Sequence, residues 1–476
     1  MNRHKLFFVF LLLEGGLVMA YELASSRLLT PVFGSSSWIW TFILGITMAG
    51  LALGYKLGTQ FSSENQIEDK ITLYVSIASS YCTFIACLFP YIEHLLYLFP
   101  FFISLFLSSI LVLFVPMTFL GAVSPLCIQY HQKNNHTKAG VSGGNVFFYS
   151  TLGGVIILFL FNLVMLPAFG IFTSIGIYSF ALLMITWVLF KKRTTILMAI
   201  IVLLLCILFH FIIPNYINNE KIVFQSESHY GKLKLIQTDK GNYRVYVNGI
   251  LQSESTISDK QLNYYDTLLN LIPDSPAKIL IIGMGGGTLA RLLHENKHDV
   301  TAVEINPEMI YVAKHFFSLP DEIKVFNRDG RVFVRSNYDS LKFDILVLDA
   351  FNGEIQPYHL FTKEHFSMLK KMLHDTSAKI LINWHGYING PEGYGTRVLV
   401  NTLLASGFDV NIHATPGPED YRNQILECLP ENKIHPIVTS EIYSDDRTFG
   451  ELNNALAQLR WRMNYFNYMA YSKQKK

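Results

Sequence analysis

Three carboxylates and a run of glycines are spaced along residues 279–349 as if to surround one small molecule. The stretch "ILIIGMGGGT" sets Gly283, Gly285, Gly286 and Gly287 directly after four apolar residues. Glycine lets a backbone approach a ligand closely, and the start of a following helix favours negative charge. Glu304 closes the run "VTAVE", 21 residues after Gly283, where a carboxylate can accept both hydroxyls of a ribose. Asp329, in "NRDG", follows the next apolar run and is placed to accept from an adenine amino group. Asp349, in "LVLDAF", ends a further one beside the space where a reacting group would lie.

Such residues need rigid elements behind them. Short apolar runs at 278–282, 299–304, 323–327, 343–348, 378–383, 408–413 and 423–429 are separated by helical stretches. This pattern predicts a doubly wound, seven-stranded α/β sheet of the Rossmann-like, class I methyltransferase kind, whose ligands sit beyond the carboxyl ends of the strands. A nicotinamide enzyme shares the glycine turn and the first acid, but its fingerprint has a third glycine where this chain has Thr288. It also makes no use of acids after the third and fourth strands. The set points instead to an adenosyl group bearing a sulfonium, as in S-adenosylmethionine or its decarboxylated form. Ahead of the sheet, 222–258 alternates polar and apolar residues around turn signals ("KLKLIQT", "DKGN", "YRVYVNG", "ILQSE") and predicts small antiparallel hairpins.

The first 214 residues are of another kind. Seven apolar stretches, roughly 6–29, 37–60, 71–90, 101–127, 144–166, 171–190 and 195–213, approach the ~20 helical residues that cross a hydrocarbon core. The expected organisation is a transmembrane helical domain (1–214), a linker with hairpins (215–258), a catalytic domain (259–430) and a C-terminal tail or helix (431–476). Lys and Arg alternate between loops so that seven spans would put the catalytic half outside the cell. Adenosyl sulfonium cosubstrates are made in the cytosol, so a cytoplasmic catalytic half on a multi-pass inner-membrane protein is expected against that count. Pro100, Pro116 and Pro125 leave two spans or a re-entrant piece open over 95–130. Glu22 and Arg27 suggest an ion pair within the first span, and Gly50, Gly54 and Gly58 a packing face on the second. A net charge of +2 shows no nucleic-acid footprint, and the five cysteines form no cluster with histidine, so no metal is expected.

The catalytic half resembles the spermidine synthase (polyamine aminopropyltransferase) family. The likeness rests on "SHYGKLKL", "VNGILQSE", "ILIIGMGGGT", "VEINPEMI", "NRDGRVF" and "LDAFNGEIQPYHLFTKEHF". In the membrane half, "YELASSRLL" and "LGITMAGLALG" resemble the membrane-attached, multi-span members. The resemblance implies that Gly283, Gly285 and Gly287 cradle the cosubstrate, Glu304 binds ribose, and Asp329 and Gly330 hold the adenine end. Asp349 would orient and deprotonate the attacking amine. Tyr264, Tyr265, Asp266, Asn352 and His359 would lie on the substrate side; apart from the resemblance, Asp266, Glu354 and His359 are candidates to replace its missing acids, and Asn383 and His385, after the fifth strand, lie on the binding side. It implies aminopropyl transfer from decarboxylated S-adenosylmethionine to a small amine with release of methylthioadenosine, at a bilayer, in a homodimer as soluble relatives commonly form. Departures keep two other readings open. The family's acid inside the glycine turn is Gly286 here, its second acid after the catalytic one is Asn352, its Tyr-His-Glu triplet is Tyr264-Tyr265-Asp266, and its early glutamine is Gly231. Two missing carboxylates put a dicationic acceptor in doubt, which suits a methyltransferase acting on an amine or lipid-like acceptor. A transporter or sensor that binds an adenosyl ligand without turnover is the third reading.

Overall fold

A computed structural model describes residues 3–35, 37–60, 66–212, 216–217, 220–256, 264–431, 441–446 and 450–474. The chain divides into two compact units: Met1–Pro214 with Glu227–His229 and Phe466–Lys476, and Asn215–Ser226 with Tyr230–Tyr465.

The first unit is helical: Arg3–Phe33, Ser37–Gln60, Ile67–Leu96, Phe101–Asn135, Ala139–Phe190 and Arg193–Ile212. Among the described residues, five of these helices are long and apolar enough to cross a membrane, with Arg193–Leu208 a shorter apolar one. The 52-residue helix is interrupted at Gly170, whose φ of 72° and ψ of 174° are not helical, and this separates two of the expected spans. Phe101–Asn135 is one helix rather than two spans or a re-entrant piece. Its wide turn at Ile110–Phe114 stands just before Pro116, where the ladder must lose an N–H. Gly54 and Gly58 lie against the carbonyls of Thr118 and Ala122, where a Cβ would collide with the facing helix. Glu22 and Arg27 are not paired among the described residues. Residues five apart lie ~140° apart around a helix, and Arg27 instead donates to the Ser228 carbonyl at 3.1 Å.

The second unit opens with an antiparallel sheet ordered β1-β2-β3-β4-β5, formed by Tyr216–Ile217, Glu220–Ser228, Gly231–Gln237, Tyr243–Val247 and Ile250–Glu254. Seven further strands follow: β6 (Lys278–Ile282), β7 (Asp299–Glu304), β8 (Lys324–Asn327), β9 (Ile345–Leu348), β10 (Lys379–Trp384), β11 (Phe408–Ala414) and β12 (Gln424–Pro430). They form one sheet ordered β11-β12-β10-β9-β6-β7-β8. The five from β8 to β10 run parallel, and β12 is antiparallel to both β10 and β11. This is the methyltransferase-like doubly wound fold. Strand β6 is apolar on both faces because helices cover both sides of the sheet. Leu280 and Ile282 pack with Phe333 and Phe361, while Ile279 and Ile281 pack with Leu289 and Leu293. The winding reverses at β6, which lies between β7 and β9, so a crevice opens beyond the carboxyl ends of β6 and β9.

Candidate active site

Gly283 follows β6 and Asp349 follows β9, so the switch point brings the glycine turn and the candidate catalytic acid together. The approach is close: a Cβ on Gly283 would overlap the Asp349 carbonyl, and the residue's φ of 87° independently disfavours any side chain.

The turn is held from two directions. Glu304, at the end of β7, accepts the N–H groups of Met284 (3.1 Å) and Gly285 (3.0 Å) on one oxygen and that of Asn306 (2.9 Å) on the other. From β5, Ser253 Oγ accepts the Gly286 N–H at 2.8 Å, and the Thr288 hydroxyl donates to the Glu254 carbonyl at 2.5 Å. Burial pushes the Glu304 carboxyl up, while these backbone donors oppose the shift by favouring the charged form. A carboxylate offers about four acceptor positions. Three are occupied by the backbone, so Glu304 fixes the shape of the turn and keeps little capacity for ribose hydroxyls.

Asp349 is clasped on both oxygens. The Tyr264 hydroxyl donates to Oδ2 and Asn383 Nδ2 to Oδ1, each at 2.8 Å. Asn383 is oriented in turn by Asn423, whose Nδ2 donates to its Oδ1 at 2.8 Å. Burial raises the Asp349 pKa from 3.8 to about 7; the Asn383 and Tyr264 hydrogen bonds pull it down, and the Glu304 charge pushes it up. Tyr264 and Tyr265 are buried side by side, ring centroids 4.4 Å apart, and burial pushes both phenols up.

The remaining candidates take other places. Asp329 caps the helix Gly330–Asn337: Oδ1 accepts the Val332 N–H at 2.9 Å, while Oδ2 meets His359 Nε2 at 3.0 Å. Gly330 lies against Ile282, with no room for a Cβ. Asp266 is exposed on the helix Tyr264–Leu269, outside the cluster made by its two neighbours. Asn352 is exposed and takes a 3.2 Å hydrogen bond from Asn248. Glu354 is buried in an ion pair with Arg462, 2.8 Å from Nη2. His385, two residues past Asn383, is held neutral, its pKa lowered to about 4 by burial, with the edge of Trp461 against it at 4.3 Å. Ser253, Asn423 and Arg462 are site neighbours that the spacing of motifs does not reveal, because each reaches the site from a different part of the chain.

A doubly wound sheet with a glycine turn at its switch point and a half-buried carboxylate facing it defines a class of nucleotide-dependent α/β domain. Residues 267–384 match the family model of the spermine/spermidine synthase domain. It is 34% identical over 156 residues to a probable polyamine aminopropyl transferase of Bifidobacterium longum, covering 32% of this chain and 34% of that relative. It is 33% identical over 163 residues to an N-terminal histidine N-methyltransferase of Emericella nidulans, covering 33% of this chain and 28% of that one. The chain thus spans only a minor part of the length of both. Among solved structures, a probable spermidine synthase from Corynebacterium glutamicum aligns at 18% identity with a TM-score of 0.37, over 46% of this chain and 84% of that one.

Proposed function

We propose that this chain is a membrane-attached transferase that alkylates an amine, moving an aminopropyl group from decarboxylated S-adenosylmethionine with release of methylthioadenosine, and that it works on the cytoplasmic side. The observation that carries the reading is Asp349, a carboxylate at the switch point with both oxygens fixed by neutral donors. The cosubstrate, held by the glycine turn that Glu304 shapes, supplies a carbon made electrophilic by its sulfonium. An amine attacks only with its lone pair free, so a group must hold the acceptor and remove a proton. Asp349 does both. Tyr264 and Asn383 set the plane of its carboxylate, and a pKa of about 7 suits a base acting near neutrality. An ordinary carboxylate at ~4 would be a far weaker acceptor of an amine's proton.

Methyl transfer from S-adenosylmethionine is the second reading, and one feature favours it. A Cβ at Gly286 would stand 2.8 Å from both the Phe317 ring and Ser253 Cβ, so the acid that the soluble synthases carry in the turn has no room here.

The test is mass spectrometry of the full-length protein with a polyamine mixture and either cosubstrate, with Asp349→Asn as control. Methylthioadenosine with a lengthened amine, absent from the control, supports aminopropyl transfer. S-adenosylhomocysteine establishes the second reading in its place, and silence with both cosubstrates rejects a polyamine as the acceptor. Added cosubstrate turned over by intact cells as fast as by lysed ones would contradict the cytoplasmic placement.

A further inference from the structure

We propose that the acceptor is a primary amine with one positive charge and an apolar body, and that Arg462 is the residue that disfavours a diamine; this rests on amine alkylation at Asp349. A diamine brings two ammonium groups. One meets Asp349, and the other needs a second carboxylate, since a buried ammonium without a counter-charge is strongly disfavoured.

Among the described residues, the carboxylates near the site other than Asp266 are already engaged. Glu304 holds the glycine turn, and Asp329 caps a helix and meets His359. Asp266 faces solvent. Position 286 has no space for an acid, and position 352 is an amide tied to Asn248. Glu354 stands five residues after Asp349, on the loop that Gln252 of β5 joins through the Gly353 carbonyl at 3.1 Å. Its carboxylate is neutralised by Arg462, the two side chains being 4% and 3% exposed. Arg462 Nη1 is buried without a hydrogen-bond partner among the described residues. A donor left over at that position favours a group that accepts and opposes an ammonium, which only donates.

What surrounds this pair is aromatic. Trp461 meets His385 and stacks on Tyr465 at 5.3 Å and 12°, and the Tyr465 hydroxyl donates to the Gly249 carbonyl at 3.0 Å. The helix Gly450–Gln474 therefore supplies a guanidinium and two flat aromatic faces beside Glu354, His385 and Gly249.

The experiment compares putrescine with butylamine, which has the same carbon count and one amine fewer, as acceptors for the full-length protein. Each is paired with whichever cosubstrate turns over. We expect kcat/KM for butylamine to exceed that for putrescine at least about tenfold; equal use, or a preference for putrescine, overturns the proposal. Arg462→Gln uncovers the Glu354 carboxylate and should raise the putrescine-to-butylamine ratio about tenfold or more, while Arg462→Lys should keep the wild-type order. An unchanged ratio in Arg462→Gln removes Arg462 from the explanation, and the wild-type comparison stands even where that variant does not fold. No alkylation of either amine, nor of hexylamine or phenethylamine, defeats amine alkylation itself, an outcome distinct from a reversed preference.

Discussion

Glycine and buried carboxylate occur in both halves of this chain, and they serve opposite ends. In the helical half, Gly15 lies against Ser150 and Gly153 against the Leu12 carbonyl, all in regular helix, so glycine there provides room for two backbones to touch. In the catalytic half, Gly283, Gly285 and Gly287 have φ of 87°, 56° and 80°, so glycine there provides a conformation that other residues resist. The carboxylates differ likewise. Glu14 is 2% exposed and takes a hydrogen bond from Ser150 at 3.1 Å, at a packing contact. Asp349 is held by two donors with its face toward a crevice. On the proposed function the same residue type is architecture in one half and chemistry in the other, and its neighbours decide which.

The largest test of that division is Asp349→Asn. The amide keeps the shape and loses the base, so transfer should fall by about a thousandfold while the melting temperature holds, since general-base catalysis supplies factors of ~10²–10⁴. An active variant would move the chemistry elsewhere. The glycines follow. Gly283→Ala should lower transfer about a hundredfold, because the new Cβ drives against the Asp349 carbonyl and displaces the base. Gly153→Ala should instead cost about 1–3 kcal/mol of stability, read as a lower Tm in detergent, with transfer per folded molecule retained. Were the two phenotypes exchanged, the contrast between room and conformation would be wrong.

Much of this arrangement is legible in the sequence, and the rest is hidden for physical reasons. The inner strands β6, β7, β9, β10 and β12 can be read because each is an apolar run mostly buried on both faces and bounded by turns, while the edge strands β8 and β11 are largely exposed and are marked by their spacing. The closeness of Gly283 and Asp349 follows from strand order, which the topological rule supplies. Roles carried by partners distant in sequence are not legible: Glu354 meets Arg462 across 108 residues, and Asn383 meets Asn423 across 40. Neighbouring residues are just as hard to read. Tyr264, Tyr265 and Asp266 look like one functional triplet, yet successive helical positions turn ~100°, so two side chains enter the core and the third faces solvent. The single helix over 101–135 is concealed by its prolines, which read as breaks until the wide turn before Pro116 accommodates one of them.

A smaller effect tests how the catalytic carboxylate is tuned. If Asp349 is the base it must be ionised to act, so kcat/KM should rise with pH and level off above about 7. Tyr264 donates to Oδ2 and so favours the charged form. Tyr264→Phe should therefore move the rising limb to higher pH and lower the rate at neutrality by about three- to tenfold, with the high-pH plateau largely kept. Stability changes with the opposite sign. A carboxyl whose pKa is raised on folding holds a proton that the unfolded chain has released, so its contribution is greatest below ~4 and is lost as pH climbs through about 7. A wild-type profile that is flat from acid to alkaline pH would mean that Asp349 is not the titrating base.

Glu14→Gln should have the least effect, and its value lies in that. Glutamine keeps an oxygen for the Ser150 hydroxyl and removes only the ionisable group. If Glu14 belongs to helix packing alone, kcat/KM for amine transfer stays within about twofold of wild type, because nothing that binds cosubstrate, holds the amine or takes the proton has changed. A loss beyond about tenfold with an unaltered Tm would require the charge state of a carboxyl in the helical half to reach the transfer step, since one pKa unit of coupling corresponds to ~1.4 kcal/mol. The helical half would then be part of the enzyme's chemistry, and the buried carboxylates of the two halves would no longer be opposites.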